Sequence, residues 1–414
     1  MRKRTGISRL LLILIVLTLV AAACADETGD TTTTAAGGSG TTAAPDDPFI
    51  FGVILVGPSN DHGWSQAHFE AAQYVEDKTG AEMIFLDKVN VADLPDKGVD
   101  QVAQDMIDQG AQMIFATSDD MKDGILLAAA ANPDIPMVWV SGDSAWEEGK
   151  AFAGLDNLGN VMTQLEYGKM IAGCAAALTT QTGSIGYLGP LINDETRRFV
   201  NSAYLGAKYC WEEYRGETDP LAFEVTWIGF WFNIPGVTLD PTQVANGFFD
   251  GGADVIISGT DTTEGLVVAG QRYDAGEEVW NVAYDFYGAC DEKPEVCLGV
   301  PYFNWGPSYL DLISAAMEDN FVATFDWVGP NWDDLSDKED GGVGWANGPA
   351  LSDANAETLA GFIDGLAGGE IDLFVGPLNY QDGSQYLADG EKATDLQIWY
   401  TEQLLEGVVG ASNP

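Results

Sequence analysis

Short apolar runs rich in β-branched and aromatic residues alternate with helical patterns along the chain from about residue 50 onwards. This alternation is typical of strand–helix–strand units, in which helices cover a sheet of parallel strands. Two helical patterns end just before Gly80 and Gly110, and glycine is the usual residue after a helix. The sequence therefore predicts an α/β fold. The predicted strands are 50–56, 83–86, 112–116, 137–140, 184–188, 223–227, 255–257, 281–283 and 298–302, and the predicted helices include 64–79 and 93–109.

Short segments of the first half of the chain recur in the same order in the second half. We call this similarity the internal echo, and it suggests that the strand–helix arrangement occurs twice. Residues 54–61 (ILVGPSND) resemble 186–194 (GYLGPLIND), and 114–119 (IFATSD) resemble 256–261 (IISGTD). A third pair, 141–143 and 284–285, follows in the same order. Polar residues after the carboxyl ends of parallel strands lie where open α/β sheets bind ligands, so two such lobes would face each other across a cleft. The alternative is chance similarity between apolar strands that end in common turn residues.

The N-terminus has the pattern of an export signal. Basic residues at 2–4 and 9 precede an apolar run over 10–20, and three alanines then lead to Cys24. The run is too short to span a bilayer comfortably and fits a signal peptide over 1–23. Its end resembles a bacterial lipobox, which implies cleavage before Cys24 and acylation of that thiol. An ordinary signal peptide with an incidental cysteine is the alternative.

Residues 24–47 are mostly Thr, Ala, Gly, Ser, Asp and Pro and predict a flexible tether between the anchor and the fold. The rest of the chain is too long for a single core, so two lobes are expected. The formal net charge of −46 offers no face that could neutralise phosphates, which argues against nucleic acid as a partner. A monomer is expected.

Four cysteines follow Cys24, at positions 174, 210, 290 and 297. An even number in an exported chain favours two disulfides, and three connectivities are open. Cys290 and Cys297 would close a short loop, which would leave Cys174 for Cys210. No cysteine or histidine cluster suggests a metal site, and no cofactor motif occurs.

Catalytic motifs are absent from the sequence. The chain has only two histidines, His62 and His68, so any triad must use one of them. The chain contains neither a Gly-x-Ser-x-Gly elbow, a P-loop nor a His-Glu-x-x-His motif. With 64 acidic residues, pairs of carboxylates carry no signal for glycosidase chemistry. The sequence therefore predicts a binding protein and not an enzyme.

Several stretches together resemble the BMP (basic membrane protein, PnrA-like) family of solute-binding lipoproteins. They are 57–64 (GPSNDHGW) with His68, 115–118 (FATS) with Met121, Arg198 and Asn201, Trp227 with Trp231 and Phe232, 252–256 (GADVI), 304–307 (NWGP) and 374–378 (FVGPL). Two places depart from the pattern. Residues 62–64 (HGW) stand where nucleoside-binding members have a Ser-Phe-Asn type segment, and the segment 326–347 has no family counterpart that we can name.

This resemblance implies a type I periplasmic-binding-protein fold, with two doubly wound parallel-sheet lobes joined by three crossovers, the third near Asn304. The expected lobes are 48–156 with about 305–345, and 157–304 with about 346–414. The resemblance also implies a receptor on the outer face of the cell membrane that captures a purine nucleoside or base and delivers it to the permease of an ABC importer. A sensing lipoprotein without transport, or a receptor for another small polar or aromatic solute, are the alternatives.

A flat heterocycle needs apolar faces and a few in-plane polar groups in a mostly dry pocket. The expected faces are Trp64, Trp231, Phe232 and Trp305, and the expected polar groups are Asn60, Asp61, Ser118, Asp119, Asn193, Thr260, Asp261 and Asp285. Other roles stay open for some of them, since Asp61 could cap the helix that follows and any one aromatic could be core. His68 is as compatible with a packed histidine as with a ligand contact.

Overall fold

Two sheets organise the chain, which a computed structural model describes from residue 48 to residue 414. The predicted signal peptide, Cys24 and the tether lie outside the described residues. The first sheet has the order β11-β5-β4-β3-β1-β2, and all of its neighbouring strands are parallel. Its strands are β1 (Ile50–Ile54), β2 (Glu82–Leu86), β3 (Met113–Ala116), β4 (Met137–Val140), β5 (Leu158–Thr163) and β11 (Phe325–Val328).

The second sheet has the order β12-β10-β9-β8-β6-β7-β15 and is parallel except between β10 and β12. Its strands are β6 (Ser184–Gly189), β7 (Ala222–Trp227), β8 (Val255–Ser258), β9 (Trp280–Val282), β10 (Cys297–Phe303), β12 (Val343–Asn347) and β15 (Val408–Val409). A separate hairpin pairs β13 (Leu378–Asn379) with β14 (Gln385–Leu387). The predicted α/β class with parallel sheets is confirmed.

Helices cover both sheets. They are α1 (Trp64–Thr79), α2 (Val99–Asp108), α3 (Lys122–Ala131), α4 (Leu165–Thr179), α5 (Asp194–Tyr209), α6 (Pro241–Asp250), α7 (Glu264–Asp274), α8 (Gly306–Met317), α9 (Asp353–Gly368) and α10 (Asp395–Trp399). We call the first sheet with α1, α2, α3 and α8 the first lobe, and the second sheet with α4 to α7 and α9 the second lobe. The core of the first lobe and the two faces of the second sheet form separate buried clusters.

The prediction for α2 is wrong at its start. The helix begins at Val99 and not at residue 93, and residues 87–98 form a loop. Pro95 disfavours helical backbone at Leu94, and the Asn90 side chain accepts hydrogen bonds from the backbone N–H groups of Ala92 and Asp93, which fixes a turn instead. By contrast, α1 has the predicted bounds and ends at Gly80 in the left-handed conformation, with φ of 76°.

The sheets divide the chain differently from the predicted lobe boundaries. Strand β5 pairs with β4, so the first sheet extends beyond residue 156, and β12 pairs with β10 in the second sheet. Sequence patterning missed β5 because Gly159 and Asn160 weaken its strand signal. Inside the fold the Asn160 amide donates to the carbonyl of Trp139, at 2.9 Å, so tertiary contacts compensate for the weak propensity.

Three segments connect the lobes, and the crossing near Asn304 is the second of them and not the third. The first follows β5, and the third is 329–342, because β11 returns to the first sheet before β12 joins the second. The Asn304 amide donates to the carbonyls of Asp337, Asp340 and Gly341, at 3.3, 3.2 and 2.9 Å. These bonds tie the second and third crossings together, and the segment 326–347 is therefore part of the hinge.

Helices α4 and α5 pack closely in the second lobe. A Cβ at Gly173 would overlap the carbonyl oxygen of Ala203, and one at Gly206 would overlap the carbonyl oxygen of Met170. A disulfide joins Cys174 of α4 to Cys210, the residue directly after α5, with Cα atoms 5.2 Å apart. A second disulfide joins Cys290 to Cys297, with Cα atoms 5.5 Å apart. The second lobe thus relies on backbone-to-backbone contact that leaves no room for a side chain.

Replacing Gly206 with alanine should therefore lower the free energy of unfolding by about 2–3 kcal/mol, since the added methyl meets backbone that cannot move aside. Gly247→Ala in α6 is the matched control, because nothing lies within 4 Å of its Cβ position. It should be neutral or raise stability by up to about 1 kcal/mol. Urea denaturation of the three proteins measures both changes. Equal stability of the two variants would contradict this account of the helix contact.

Candidate functional site

A small cavity of about 10 Å³, with room for about one water molecule, lies between the carboxyl ends of the two sheets. The first lobe lines it with Trp64, Ser118, Asp119 and Ser141, and the second with Glu195, Trp231, Asp261 and Tyr284. Each side chain follows a parallel strand directly or stands at the start of a nearby loop or helix. Open α/β sheets bind ligands at these strand ends. The cavity is therefore the candidate site, and it exists only where the two lobes meet.

Two indoles hold the loop that follows β3. The Trp64 ring nitrogen donates to the carbonyl of Thr117, at 2.6 Å, and the Trp139 ring nitrogen donates to the carbonyl of Ser118, at 2.9 Å. Trp139 is almost fully buried, whereas Trp64 lies at the cavity. The positions of Ser118 and Asp119 are thus fixed from beneath by tryptophans whose N–H groups are already satisfied.

Asp61 sets the position of Trp64. Its carboxylate accepts hydrogen bonds from the backbone N–H groups of Gly63, Ser65 and Gln66, at 2.9, 3.0 and 3.0 Å. These are donors that the first turn of a helix leaves unpaired. Burial raises the pKa of Asp61, while the three backbone hydrogen bonds oppose that rise. The capping role that the sequence left open for Asp61 is thus the one that its contacts describe.

Trp64 and Trp305 belong to one aromatic cluster with different exposure to the cavity. The Trp64 ring meets His68, Phe303 and Trp305 edge-on, at centroid distances of 4.6, 4.9 and 5.6 Å. Trp305 lies behind it, stacked on Phe303 and His68 at 4.9 and 4.7 Å, and is 1 % exposed. Trp305 was expected to face the ligand, but it is core that supports Trp64.

His68 is a packed histidine. It is fully buried, and its Nδ1 is hydrogen-bonded to the Tyr309 hydroxyl at 2.8 Å. Burial holds the pKa of His68 well below its usual range, so the ring is neutral at physiological pH.

Trp231 brings an unused donor to the cavity from the second lobe. Its ring nitrogen is buried and has no hydrogen-bond partner among the described residues. Its backbone carbonyl accepts from the N–H of Asp261, at 3.0 Å, so these two lining residues are held together. Phe232, expected as a second face, points elsewhere: it packs against the core of the first lobe and meets Phe230 edge-on at 5.0 Å. A buried N–H without an acceptor indicates a place for a ligand acceptor.

Three carboxylates line the cavity, and no lysine, arginine or histidine among residues 48–414 joins them there. Burial raises the pKa of Asp119, while a hydrogen bond from the Asn193 amide at 3.4 Å opposes the rise. Burial raises the pKa of Glu195 to about 7, and the charge of Arg198 opposes it. Asp261 has a pKa well above its usual range, through burial and then the neighbouring charge of Asp285. Burial thus makes the charged form of these carboxylates costly. A ligand that offers hydrogen-bond donors or a positive charge would offset this cost.

A buried lysine and a buried aspartate adjoin the lining residue Tyr284. Lys169 and Asp285 are both fully buried, and the Lys169 ammonium donates to the carbonyl of Ser258, at 2.9 Å, and lies 3.1 Å from the centre of the Tyr284 ring. Burial raises the pKa of Asp285 and lowers that of Lys169, and their mutual attraction opposes both shifts. Asp285 is expected to contact the ligand, but its side chain is fully buried and is not part of the cavity lining.

The remaining expected residues also lie outside the lining. Asn60 is exposed in the loop before α1. Asn193 caps α5 by accepting from the N–H of Thr196, at 2.9 Å, which is why its side chain turns to the helix. Thr260 is 1 % exposed, and its hydroxyl donates to the carbonyl of Thr262, at 3.2 Å. These three side chains shape the strand ends without facing the cavity.

Ser141, Glu195 and Tyr284 line the cavity but were not among the expected site residues. Ser141 and Tyr284 belong to the third internal echo, which was the available signal for them. Ser141 has φ of 68°, and Asp285, beside Tyr284, has φ of 68° as well. A non-glycine residue in this region is uncommon and often marks a functional strand end. Glu195 gave no such signal, since an acidic residue in the first turn of a helix is ordinary.

The described residues show no feature of a metal centre or a membrane span. No group of three or more His, Cys, Asp or Glu side chains in 48–414 could hold a metal ion. In the same range, no helix has the length and apolar character needed to cross a bilayer.

A family described as ABC transporter substrate-binding protein, PnrA-like, matches residues 50–217. A purine-binding protein of Brucella abortus (strain 2308) is 27 % identical over 350 residues, which cover 84 % of this chain and 89 % of that protein. A protein named as a candidate ABC transporter glucose-binding protein of Haloferax volcanii is 24 % identical over 344 residues, or 81 % of this chain and 76 % of that one.

Solved structures agree on the fold. A solute-binding protein of an ABC transporter system from Aeropyrum pernix K1 aligns with a TM-score of 0.63 at 14 % identity, covering 80 % of this chain and 94 % of its own. A second, from Conexibacter woesei, aligns with a TM-score of 0.56 at 18 % identity, covering 78 % and 98 %. The fold is that of type I periplasmic solute-binding proteins, as the sequence predicts.

The buried carboxyl of Glu195 should make stability depend on pH. Because its pKa is about 7 in the folded protein and its ordinary value is 4.5, the folded state holds the proton more tightly. The free energy of unfolding should therefore fall as pH rises from about 4.5 to about 7 and change no further above that. Glu195 faces Arg198, Asp119, Glu166 and Lys169. Glu195→Gln should remove this contribution and raise stability at pH 8 by about 2–3 kcal/mol.

Urea denaturation at pH 5 and pH 8 measures the effect. Glu357→Gln, at an exposed position of α9, is the control and should follow the wild type at both values. If Glu195→Gln and the wild type differ equally at pH 5 and pH 8, the carboxyl is not protonated more tightly in the folded state.

Proposed function

We propose that the chain is a member of the PnrA-like family of ABC transporter substrate-binding proteins, and that its ligand is a purine base or nucleoside held in the cavity between the lobes. Proteins of this family bind small solutes outside the cytoplasm and are not enzymes. The observation that carries the proposal is the composition of the cavity, in which tryptophans from opposite lobes stand beside three carboxylates without a cation. A purine-binding relative at 27 % identity supports the same ligand class.

A purine matches this set of groups. Once the lobes part to admit it, its flat ring would pack between the Trp64 and Trp231 side chains, since aromatic contacts of this kind contribute about 1 kcal/mol beyond the area they bury. Ring N–H and exocyclic amino groups would donate to Asp119, Glu195 and Asp261. A ring nitrogen or carbonyl oxygen would accept from the free N–H of Trp231, which is otherwise unpaired. Ser141, whose hydroxyl also lacks a partner among the described residues, provides a further polar contact.

Nucleotides should be excluded by the same groups. A phosphate would enter beside Asp119, Glu195 and Asp261, and its desolvation would have no compensating cation in the lining. Discrimination against phosphate would thus follow from charge.

A sugar is the second candidate ligand. Carboxylates beside tryptophans suit hydroxyl groups as well as ring N–H donors, and one relative is named as a candidate glucose-binding protein. The free Trp231 donor does not distinguish the two ligands, because a sugar hydroxyl also accepts. The same binding experiment separates them.

Calorimetry with adenine, hypoxanthine, adenosine, inosine, adenosine monophosphate and glucose tests the proposal. At least one base or nucleoside should bind, and the monophosphate should bind at least about tenfold more weakly. Trp231→Phe keeps an aromatic ring and removes the N–H donor, so it should weaken purine binding about tenfold, the cost of one lost hydrogen bond. Trp280→Phe in β9, outside the cavity lining, is the control and should bind like the wild type.

Binding of glucose alone would establish the sugar alternative, and binding of the monophosphate as tightly as of its nucleoside would contradict the account of the carboxylates. Equal affinity of Trp231→Phe and the wild type would remove Trp231 from the ligand site.

We further propose that a lipid on Cys24 anchors the protein at the outer face of the cell membrane, where it passes its ligand to an importer permease as a monomer. The lipobox-like sequence before Cys24 supports the anchor, and membership of an ABC transporter family supports delivery for import over sensing alone. The residues after Cys24 are polar and small, as expected for a tether that leaves the lobes free to close.

Cys24→Ser should release the protein from the membrane fraction without changing its affinity for the ligand, because the proposed ligand contacts all belong to residues after the tether. Fractionation of cells that express the wild type and the variant measures this. A variant that stays in the membrane fraction would show that something other than the thiol-linked lipid holds the protein there.

A further inference from the structure

The start of helix α1 touches the second lobe at a residue without a side chain. A Cβ built on Gly63 would overlap the carbonyl oxygen of Asp261 and lie 2.7 Å from the carbonyl carbon. Real Cβ atoms essentially never approach other atoms this closely, so one of the two backbones would have to move. Gly63 follows the first strand of the first sheet, and Asp261 follows β8 of the second. The contact therefore joins the lobes directly.

Neither backbone is free to move aside. The N–H of Gly63 donates to the Asp61 carboxylate at 2.9 Å, and its carbonyl accepts from the N–H of Ala67 at 3.1 Å. Across the contact, the N–H of Asp261 donates to the carbonyl of Trp231 at 3.0 Å. Both sides are thus fixed by the same residues that position Trp64 and Trp231 at the cavity. A side chain at residue 63 could be accommodated only by separating the lobes.

Asp261 connects the contact to the ligand site. Its carboxyl lines the cavity, while its own carbonyl oxygen rests on Gly63. Two other contacts join the lobes along the same seam, by which we mean the line where the lobes meet beside the cavity. The His62 ring lies 6.5 Å from that of Phe286, and the Asn193 amide donates to the Asp119 carboxylate at 3.4 Å. Those two contacts involve side chains, which can rearrange, whereas the Gly63 contact involves backbone on both sides. Of these three contacts between the lobes, the Gly63 contact is the least adjustable.

We propose that Gly63 is the residue that permits the lobes to close on the ligand, and that any side chain at this position holds the cleft open. Gly63 makes no contact with the ligand in this role; it acts by letting Asp261 and Trp231 reach their places opposite Trp64. This inference rests on ligand binding between the lobes, as proposed above. A ligand stabilises the closed form only by its differential affinity, so a variant that cannot close loses most of that affinity.

X-ray scattering and calorimetry test the proposal with the purine of the panel that binds the wild type most tightly. The wild type should contract on binding, whereas Gly63→Ala should not contract and should bind at least about tenfold more weakly. Gly247→Ala is the matched control, since it adds the same methyl group in the second lobe with nothing within 4 Å. It should contract and bind like the wild type. A Gly63→Ala protein that contracts and binds like the wild type would overturn the proposal.

A cross-linking experiment gives a readout that needs no ligand. Cysteines replacing His62 and Thr262, which flank the contact, should be joined by a short bismaleimide in a chain that keeps Gly63. The irreversible cross-linker traps the closed state whenever the ligand-free chain visits it, so adding Gly63→Ala should slow this cross-linking at least about tenfold, while adding Gly247→Ala should not. Equal rates in all three chains would overturn the proposal.

The double-cysteine chain keeps Gly63, so its failure to cross-link would by itself contradict the contact even if Gly63→Ala did not fold. The two proposals also fail separately. If no purine binds the wild type, the proposed ligand is wrong, and the cross-linking rates still decide whether Gly63 governs closure.

Discussion

The burial of carboxylates between the two lobes is the constraint on which the rest of the site depends. Asp119 comes from the first lobe and Glu195 and Asp261 from the second, and they line one cavity that has no cation among its described lining residues. Burial raises the pKa of each, so the closed site is costly until protons or ligand donors satisfy these groups. Among the described residues, Lys169 donates to the carbonyl of Ser258 and lies against the Tyr284 ring, and Arg198 pairs with Glu166 at 2.5 Å. A ligand with several hydrogen-bond donors would satisfy these carboxylates in place of a cation.

The geometry that imposes this constraint is built from backbone contacts. Asp61 organises the start of α1, which places Gly63 against Asp261 and Trp64 at the cavity. Asn304 joins two of the three crossings by donating to three carbonyls of the hinge segment. Hydrogen bonds from Asn304 thus join the crossings at the hinge. Near the cavity, the lobes meet where the backbone of Gly63 touches the backbone of Asp261. Such an arrangement allows the cleft to close to one defined position.

Much of this fold could be predicted from the sequence because it depends on local patterns. Nine strands, β1 to β4 and β6 to β10, and the bounds of α1 follow from apolar periodicity and from Gly80, and the internal echo located strand ends that line the cavity. Strand β5 and the start of α2 could not be predicted from local propensity, since Asn160 depends on tertiary hydrogen bonds and the Asn90 turn competes with the helix. Local sequence patterns do not predict elements whose conformation depends on contacts with distant parts of the chain.

The same limit explains which site residues were missed or misplaced. Asp61 and Asn193 have the chemistry of ligand contacts, but their side chains cap helices, and Trp305 differs from Trp64 only in lying one layer deeper. Glu195 looks like an ordinary acidic residue at a helix start, and only the approach of the other lobe makes it part of a cavity. A residue's type and spacing in the sequence indicate whether it could contact a ligand. Its depth of burial and the position of the other lobe decide whether it lines the cavity.

The central claim is that the closed cavity selects a purine by pairing its donors with buried carboxylates. Mass spectrometry of the small molecules released when the purified protein is denatured tests it most directly, because it asks which solute the site retained from the cell. The account predicts a purine base or nucleoside, released in an amount comparable to that of the protein. Release of a sugar or a phosphorylated compound in its place would contradict it.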